Sequence, residues 1–417
     1  MGELQSWLNQ AADYKNDLID QLHNEFLSGL GESEDKKLNW GTSEWLLSGQ
    51  ILINKVRNVL NNNQNETVFK ISLEDESFEG CLDLDGKGSG TLKKNNKQNG
   101  LYEFSAKGSF LRGNLEGKVK ERKSCTYFCD CFYRNGVRHG AFRKFDLSKE
   151  LQELGFYRRG QRISNFLLTF PGGCYFIGSY YSNVLCKEKS IFIYPDLRSV
   201  IVGSFKLSQN IKSSQLKVVE GHFGKIIAFD WQNGLPSASI KVTHATLIRY
   251  EMSTDKQICH HLMLSDPYEF NAVYVKNSEI PSAGEGLFAR KVIEANKVVS
   301  FYNGVRYPKN RRDCGKSYKW SDFRIALDNE SDLDIPPKYR HLECYRSSYG
   351  HKACHTFDNT RINTRFDNFY HPRFGQIMAL ISTRYINTDE EILVNYNYKD
   401  VMNAPLWYKD LWKSHNK

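Results

Sequence analysis

The sequence predicts a mostly β chain: a short helical segment first, then a stacked array of β-hairpins, then a second β domain closed by a short helix. Three observations carry this. Aromatic triplets, most of them opening on glycine, recur every 23 to 25 residues through the middle of the chain. Short β-branched or aromatic runs bounded by turns fill the C-terminal part. Apolar residues at three- and four-residue steps, the mark of an amphipathic helix, are confined to the two ends.

The helical segment occupies residues 1–70. Leu4, Trp7, Leu8, Ala11, Tyr14, Leu18, Leu22 and Phe26 recur at helical spacing, and a second such stretch runs from Trp45 to Leu60. It ends in Asn61-Asn62-Asn63-Gln64-Asn65, which reads as a linker. No chemistry is visible here, so the expectation is a helical interaction or capping segment.

Residues 71–219 hold the hairpin array. Gly108-Ser109-Phe110, Cys131-Phe132-Tyr133, Gly155-Phe156-Tyr157, Gly178-Ser179-Tyr180 and Gly203-Ser204-Phe205 mark successive units, several followed by turns such as Arg134-Asn135-Gly136 and Arg159-Gly160. One hairpin buries too little apolar surface to stand alone, so a fixed period implies neighbours stacked on a shared core. Residues 220–269 read as a connecting β segment.

The second β domain spans residues 270–400. Ala272 to Val275, Val298 to Tyr302, Gln376 to Leu380 and Ile392 to Val394 are its strands, and 401–417 is a closing segment with helical periodicity around Trp407 and Trp412.

At 417 residues the chain can hold two to three domains. An apolar content of 40% and a mean hydropathy of −0.56 fit a globular protein. No apolar run approaches the ~20 residues of a spanning helix, and the N-terminus carries no basic-then-apolar leader, so a nuclear or cytoplasmic location is expected. Ten scattered cysteines form no paired framework and agree with a reducing compartment. The 57 basic and 48 acidic residues give a net charge of +9, compatible with acidic surroundings such as chromatin but carrying no direct nucleic-acid motif.

Metal chemistry finds little support. Cys125, Cys129 and Cys131 fall on aromatic strands, where core cysteines are the simpler reading; Cys259-His260-His261 has no partner pattern; and His351 and His355 lack a second ligand cluster.

Three segments carry a family resemblance: Ser282-Ala283-Gly284-Glu285-Gly286-Leu287-Phe288, Gly350-His351-Lys352-Ala353-Cys354-His355, and Asn395-Tyr396-Asn397-Tyr398. They resemble the cofactor and active-site signatures of SET-domain protein-lysine methyltransferases. Over residues 78–417, Tyr194-Pro195-Asp196, Asp266-Pro267-Tyr268-Glu269 and His371-Pro372-Arg373-Phe374-Gly375 extend the likeness to the MORN-repeat members that methylate histone and other lysines. The resemblance implies a SET-type β domain with a knot-like active site. S-adenosyl-L-methionine would be held by Ala283, Gly284, Glu285, Cys354, His355 and Trp407, and a lysine channel would be walled by Tyr302, Phe366, Tyr396 and Tyr398. No metal is implied, and the family's cysteine-rich zinc tail is absent. The implied partners are histone tails and other lysine-bearing proteins, for a monomeric nuclear enzyme.

Such chemistry suits tyrosines. Methyl transfer to an amine needs a neutral nucleophile, an aligned donor and the exclusion of water. Aromatic walls strip water from the amine, which disfavours the ammonium form.

The sequence departs from the family at three places. Cys354 stands where the family has an asparagine holding the charged end of the cofactor, a loss of about 1.5–3 kcal/mol. The stretch 358–364 carries extra residues. Phe366 stands where a tyrosine is usual, leaving room for a methylated amine, so di- or trimethylation is expected. The alternatives are a weakly active or inactive relative serving as a protein-binding scaffold and, on the mild basic charge, a scaffold on acidic membrane surfaces.

Overall fold

The computed structural model describes residues 2–29, 43–62, 68–95, 102–124, 126–186, 190–210, 213–232, 234–242, 246–309, 323–397 and 406–415. The backbone is mostly β, with helices at Gly2–Ala12, Leu18–Gly29, Gly49–Asn62, Pro267–Ala272 and Leu406–His415. None of the described helices is long and apolar enough to cross a membrane. The chain divides into two compact units: Met1–Thr169 with Phe176–Ser190 and Ile227–Ser239, and Phe170–Tyr175 with Ile191–Ile226 and Ile240–Lys417.

In the first unit, strands from Phe69–Leu73 to Gln161–Phe170 follow one another as antiparallel neighbours. The repeat period has a local cause. Arg112-Gly113, Asn135-Gly136, Arg159-Gly160 and Ser182-Asn183 each form a two-residue loop with both φ angles positive, between 48° and 78°. These are the primed turns whose twist matches that of the flanking strands. Successive turns are stitched together: the amides of Gly113, Gly136, Gly160 and Asn183 donate to the carbonyls of Gly86, Leu115, Arg138 and Arg162.

Buried Glu121 pairs with Arg138 at 2.6 Å, and Glu153 pairs with Arg162 one repeat later. Each guanidinium lies over one aromatic ring of its own strand and one of the next, Phe142 and Tyr157 in the first case and Phe166 and Tyr180 in the second.

The repeat glycines make room for rings. A Cβ at Gly155 would stand 2.5 Å from the Phe166 ring. Gly155→Ala is therefore expected to lower stability by about 1–3 kcal/mol, read as a lower urea midpoint. Cys131 occupies the corresponding place one repeat earlier, where its thiol reaches the Val119 carbonyl and Glu121 at 3.4 Å. Cys129 is also buried, and burial holds both thiols protonated; Cys125 lies outside the described residues.

The first helices pack onto this array through rings. His23 stacks on Phe132 with centroids 3.5 Å apart, and Phe26 stacks on Phe156. Burial lowers the pKa of His23 to about 4, so the ring is neutral in this contact. Leu52 and Val56 of the Gly49–Asn62 helix, with Trp45 and Leu47 just before it, join Phe69, Phe78 and Phe110 in a core of the array; the helical spacing read from Trp45 onward becomes helix only from Gly49.

The second unit contains a five-stranded sheet ordered Val298–Tyr302, Gly375–Ser382, Thr364–His371, Leu393–Val394 and Cys354–His355. The first three pair antiparallel; Leu393–Val394 is inserted parallel to both of its neighbours. Beside this sheet lies the hairpin of Val273–Asn277 and Glu285–Ala289. The segments that carried the resemblance converge here as a buried polar network. Tyr194 donates to Asp266, whose other oxygen caps the Pro267–Ala272 helix, and His371 Nε2 lies 3.3 Å from the same carboxylate. Arg373 pairs with Glu251 and donates to the carbonyls of Leu264 and His261 at 2.9 and 3.1 Å. Cys259 to His261, given no role from sequence, therefore supplies backbone to this cluster: His260 N also donates to Glu251 at 2.6 Å.

Candidate active site

Three of the four channel residues expected from sequence meet around one cavity of about 760 Å³. Tyr302 ends the Val298–Tyr302 strand, Phe366 lies on Thr364–His371, and Tyr396 follows Leu393–Val394. Strand pairing brings them together: Tyr302 faces Met378, Phe366 faces Leu380, and Thr364 pairs with Val394. The Phe366 ring stands 5.9 Å from Tyr302, edge to face, and 6.4 Å from Tyr396. The fourth, Tyr398, lies outside the described residues.

Hydroxyl positions differ between the two tyrosines. Tyr302 donates to the Phe323 carbonyl, while Tyr396 donates to the Ala353 carbonyl at 2.8 Å. The Tyr396 amide donates to His355 Nδ1 at 3.2 Å, fixing that residue at its backbone as well as its ring.

The cavity wall also includes residues that sequence reasoning did not single out: Phe323, Ala353, Thr364, Met378 and Asn395. His351, weighed from sequence only as a metal ligand, lines it too, with its ring 6.4 Å from Tyr302. Burial, helped by the neighbouring Lys352 charge, pushes the His351 pKa down to about 3, so the wall is uncharged at that point at neutral pH. The signal that could have found it was its place two residues before Ala353, on the segment that carries the motif.

The six cofactor candidates gather next to this wall without lining it. Ser282 and Gly284 take positive φ at the turn entering Glu285–Ala289. A Cβ at Gly284 would meet nothing within 4 Å, so the turn's backbone is open to close approach. Ala283 N closes the turn on the Ile280 carbonyl. Glu285 pairs with the buried Lys352 amine at 2.6 Å. Glu391 holds the same turn by accepting from Ser278 and from the Glu279 amide.

Cys354 is buried between Ile280 and Leu393, its thiol 3.5 Å from the Glu285 carbonyl. Burial raises its pKa to about 11, which makes it a neutral thiol with weak hydrogen-bonding capacity. His355 is likewise neutral, its pKa lowered to about 4 by burial. The Trp407 ring lies 6.0 Å from Tyr396 and 6.3 Å from His355. An open glycine turn beside aromatic rings fits a ligand with a flexible chain and a planar base. Cys354 offers the polar end of such a ligand only a neutral thiol.

His355 links the two groups, since Tyr396 touches it through backbone and ring while Cys354 precedes it. Among the described residues no cluster of three or more histidine, cysteine or carboxylate side chains could hold a metal ion.

No family model matches the chain. A curated relative, the histone-lysine N-methyltransferase SETD7 of Halocynthia roretzi, is 30% identical over 279 residues, covering 65% of this chain and 69% of its own length. Two solved structures also align. One is the SET domain of ATXR5 in complex with a dimethylated histone H3, at 16% identity over 33% of this chain and 62% of that one, with a TM-score of 0.25. The other is a humanised mutant of Chaetomium thermophilum Polycomb Repressive Complex 2 bound to an inhibitor, at 20% identity over 30% and 15%, with a TM-score of 0.22. The chain thus spans less than two thirds of either solved chain, and the assignment rests on the curated relative: it belongs to the SET-domain lysine methyltransferase family.

Proposed function

We propose that this protein transfers methyl groups from S-adenosyl-L-methionine to the ε-amine of lysine in histones or other proteins. The observation that carries the reading is the convergence of Tyr302, Phe366 and Tyr396 on one cavity. Ala283, Gly284, Glu285, Cys354, His355 and Trp407 would hold the cofactor, which when bound supplies a methyl group on a positively charged sulfur.

The protein's own part is to prepare the amine. The aromatic wall removes water, and desolvation lowers the amine's affinity for its proton. His351, neutral through burial, adds no competing charge. Tyr302 has its hydroxyl proton committed to Phe323, so it acts as a fixed wall. Tyr396 lines the same cavity with its hydroxyl held at the Ala353 carbonyl, and that oxygen is the group assigned here to orient the amine.

Phe366 contributes no hydroxyl, and the space beside Tyr302 suits a methylated amine. Di- and trimethyl lysine are the expected products, and Phe366→Tyr should shift the product distribution towards monomethyl, read by mass spectrometry. Purified protein yielding monomethyl lysine alone would contradict this.

Under this reading the regions are 1–70, a helical extension; 71–219, MORN-like repeats that present the substrate protein; 220–269, a connector; 270–400, the SET domain; and 401–417, a closing segment. A monomer acting on chromatin in the nucleus, and possessing a cytoplasmic pool, follows from the same reading. The test is incubation of the full chain with isotope-labelled S-adenosyl-L-methionine on histone and peptide arrays. Labelled lysine is expected. Absence of both transfer and calorimetric cofactor binding at high micromolar concentration would favour a protein-binding scaffold.

A further inference from the structure

Glu269 sits in the short Pro267–Ala272 helix and is fully buried. Its Oε1 accepts three hydrogen bonds: from the Ser300 hydroxyl, from the Phe301 amide at 2.9 Å and from the Tyr349 amide at 2.7 Å. Two of these donors belong to the strand that carries Tyr302, and the third belongs to the turn that carries His351. Tyr302 is the residue after Phe301, and His351 follows Tyr349 by two; both line the cavity. One carboxyl oxygen is therefore the common point of two segments that share no strand pairing.

The surroundings leave no slack. Tyr268, next to Glu269, donates to the Val298 carbonyl at the other end of the same strand. A Cβ at Gly350 would come within 2.6 Å of the Phe301 carbonyl, so the turn already lies against the strand. The second oxygen, Oε2, is buried without a hydrogen-bond partner among the described residues. The titratable groups facing Glu269 are Asp266 on its own helix and the phenols of Tyr268, Tyr345 and Tyr349. None is a cation.

We propose that Glu269 is a positioning residue, acting as an uncharged carboxylic acid that holds Tyr302 and His351 in register across the lysine cavity. This rests on the methyltransferase reading above. A neutral acid keeps its carbonyl oxygen for the three donors and places no charge in a pocket without a counter-ion. Burial supports this state, raising the pKa from 4.5 to about 8. Ionisation at higher pH puts an uncompensated charge under the wall and loosens it.

The sign follows from the shift. The folded chain keeps a proton that the unfolded chain releases above pH 4.5, so this site favours folding most below that pH. Its contribution falls as the pH rises towards 8 and is flat beyond. Glu269→Gln keeps the carbonyl and cannot ionise.

The experiment compares full-length wild type, E269Q and E269A. E269A should lose at least about tenfold in kcat with a smaller change in peptide KM, and E269Q should recover most of that loss. The ratio of wild-type to E269Q activity should fall above pH 8. Independently of activity, the aromatic resonances of Tyr302 and His351 should titrate together in wild type and not in E269Q, and the melting temperature of E269Q should gain on wild type between pH 5 and 8. Equal impairment of E269Q and E269A, or ring resonances indifferent to pH in wild type, overturns the proposal. Absence of methyl transfer with the ring titration intact would instead remove the enzymatic reading and leave the clamp standing.

Discussion

Tyr396→Phe is expected to lower the single-turnover methylation rate about a hundredfold while leaving cofactor affinity within a fewfold of wild type. The phenylalanine ring can keep the contacts with Phe366, His355 and Trp407, and the backbone bond to His355 is untouched. What disappears is the hydroxyl anchored on Ala353, the oxygen to which the proposed mechanism gives the orientation of the amine. A reacting group displaced by about 1 Å can lose a factor of ~10² in rate. Rapid-quench measurement with a lysine peptide gives the rate, and calorimetry gives the affinity. An unchanged rate would remove Tyr396 from the transfer path. A large loss of cofactor affinity would assign it to binding instead.

Glu251→Ala is expected to be strongly destabilising, costing about 3–5 kcal/mol. Arg373 is completely buried, and its guanidinium is divided between Glu251 and the carbonyls of Leu264 and His261. Removing the carboxylate leaves a charge in the interior with only carbonyl dipoles for company. The backbone adds to the linkage, since Glu251 N donates to the Arg373 carbonyl at 2.8 Å. The double variant E251A/R373M should recover a substantial part of the loss, because replacing both partners of a buried pair removes the orphaned charge. Thermal unfolding of the two variants measures this; equal destabilisation would show that the packing around Arg373, and not its charge, matters.

The rhythm of the hairpin array was legible in the sequence because its cause is local. A primed two-residue turn needs positive φ at both positions, and Asn135-Gly136 and Arg159-Gly160 announce it within a few residues of the aromatic strands they join. The helical stretches were legible for the same reason, from their apolar spacing. The candidate channel residues were reached through motif likeness and not through any local pattern; Tyr302, Phe366 and Tyr396 line one cavity.

Composition and motif order thus determined a mostly β chain of this family, with its repeats and its aromatic residues in sequence. Tertiary structure alone decided which distant polar groups meet. Glu285 finds Lys352 across 67 positions, Glu251 finds Arg373 across 122, and Glu269 reaches Tyr349 across 80. Spacing along the chain holds no trace of such pairs. They exist because strand register and a folded-back turn carry remote segments together, and where the meeting point is buried, as at Glu251 and Glu269, a charge must find a partner or give up its ionisation.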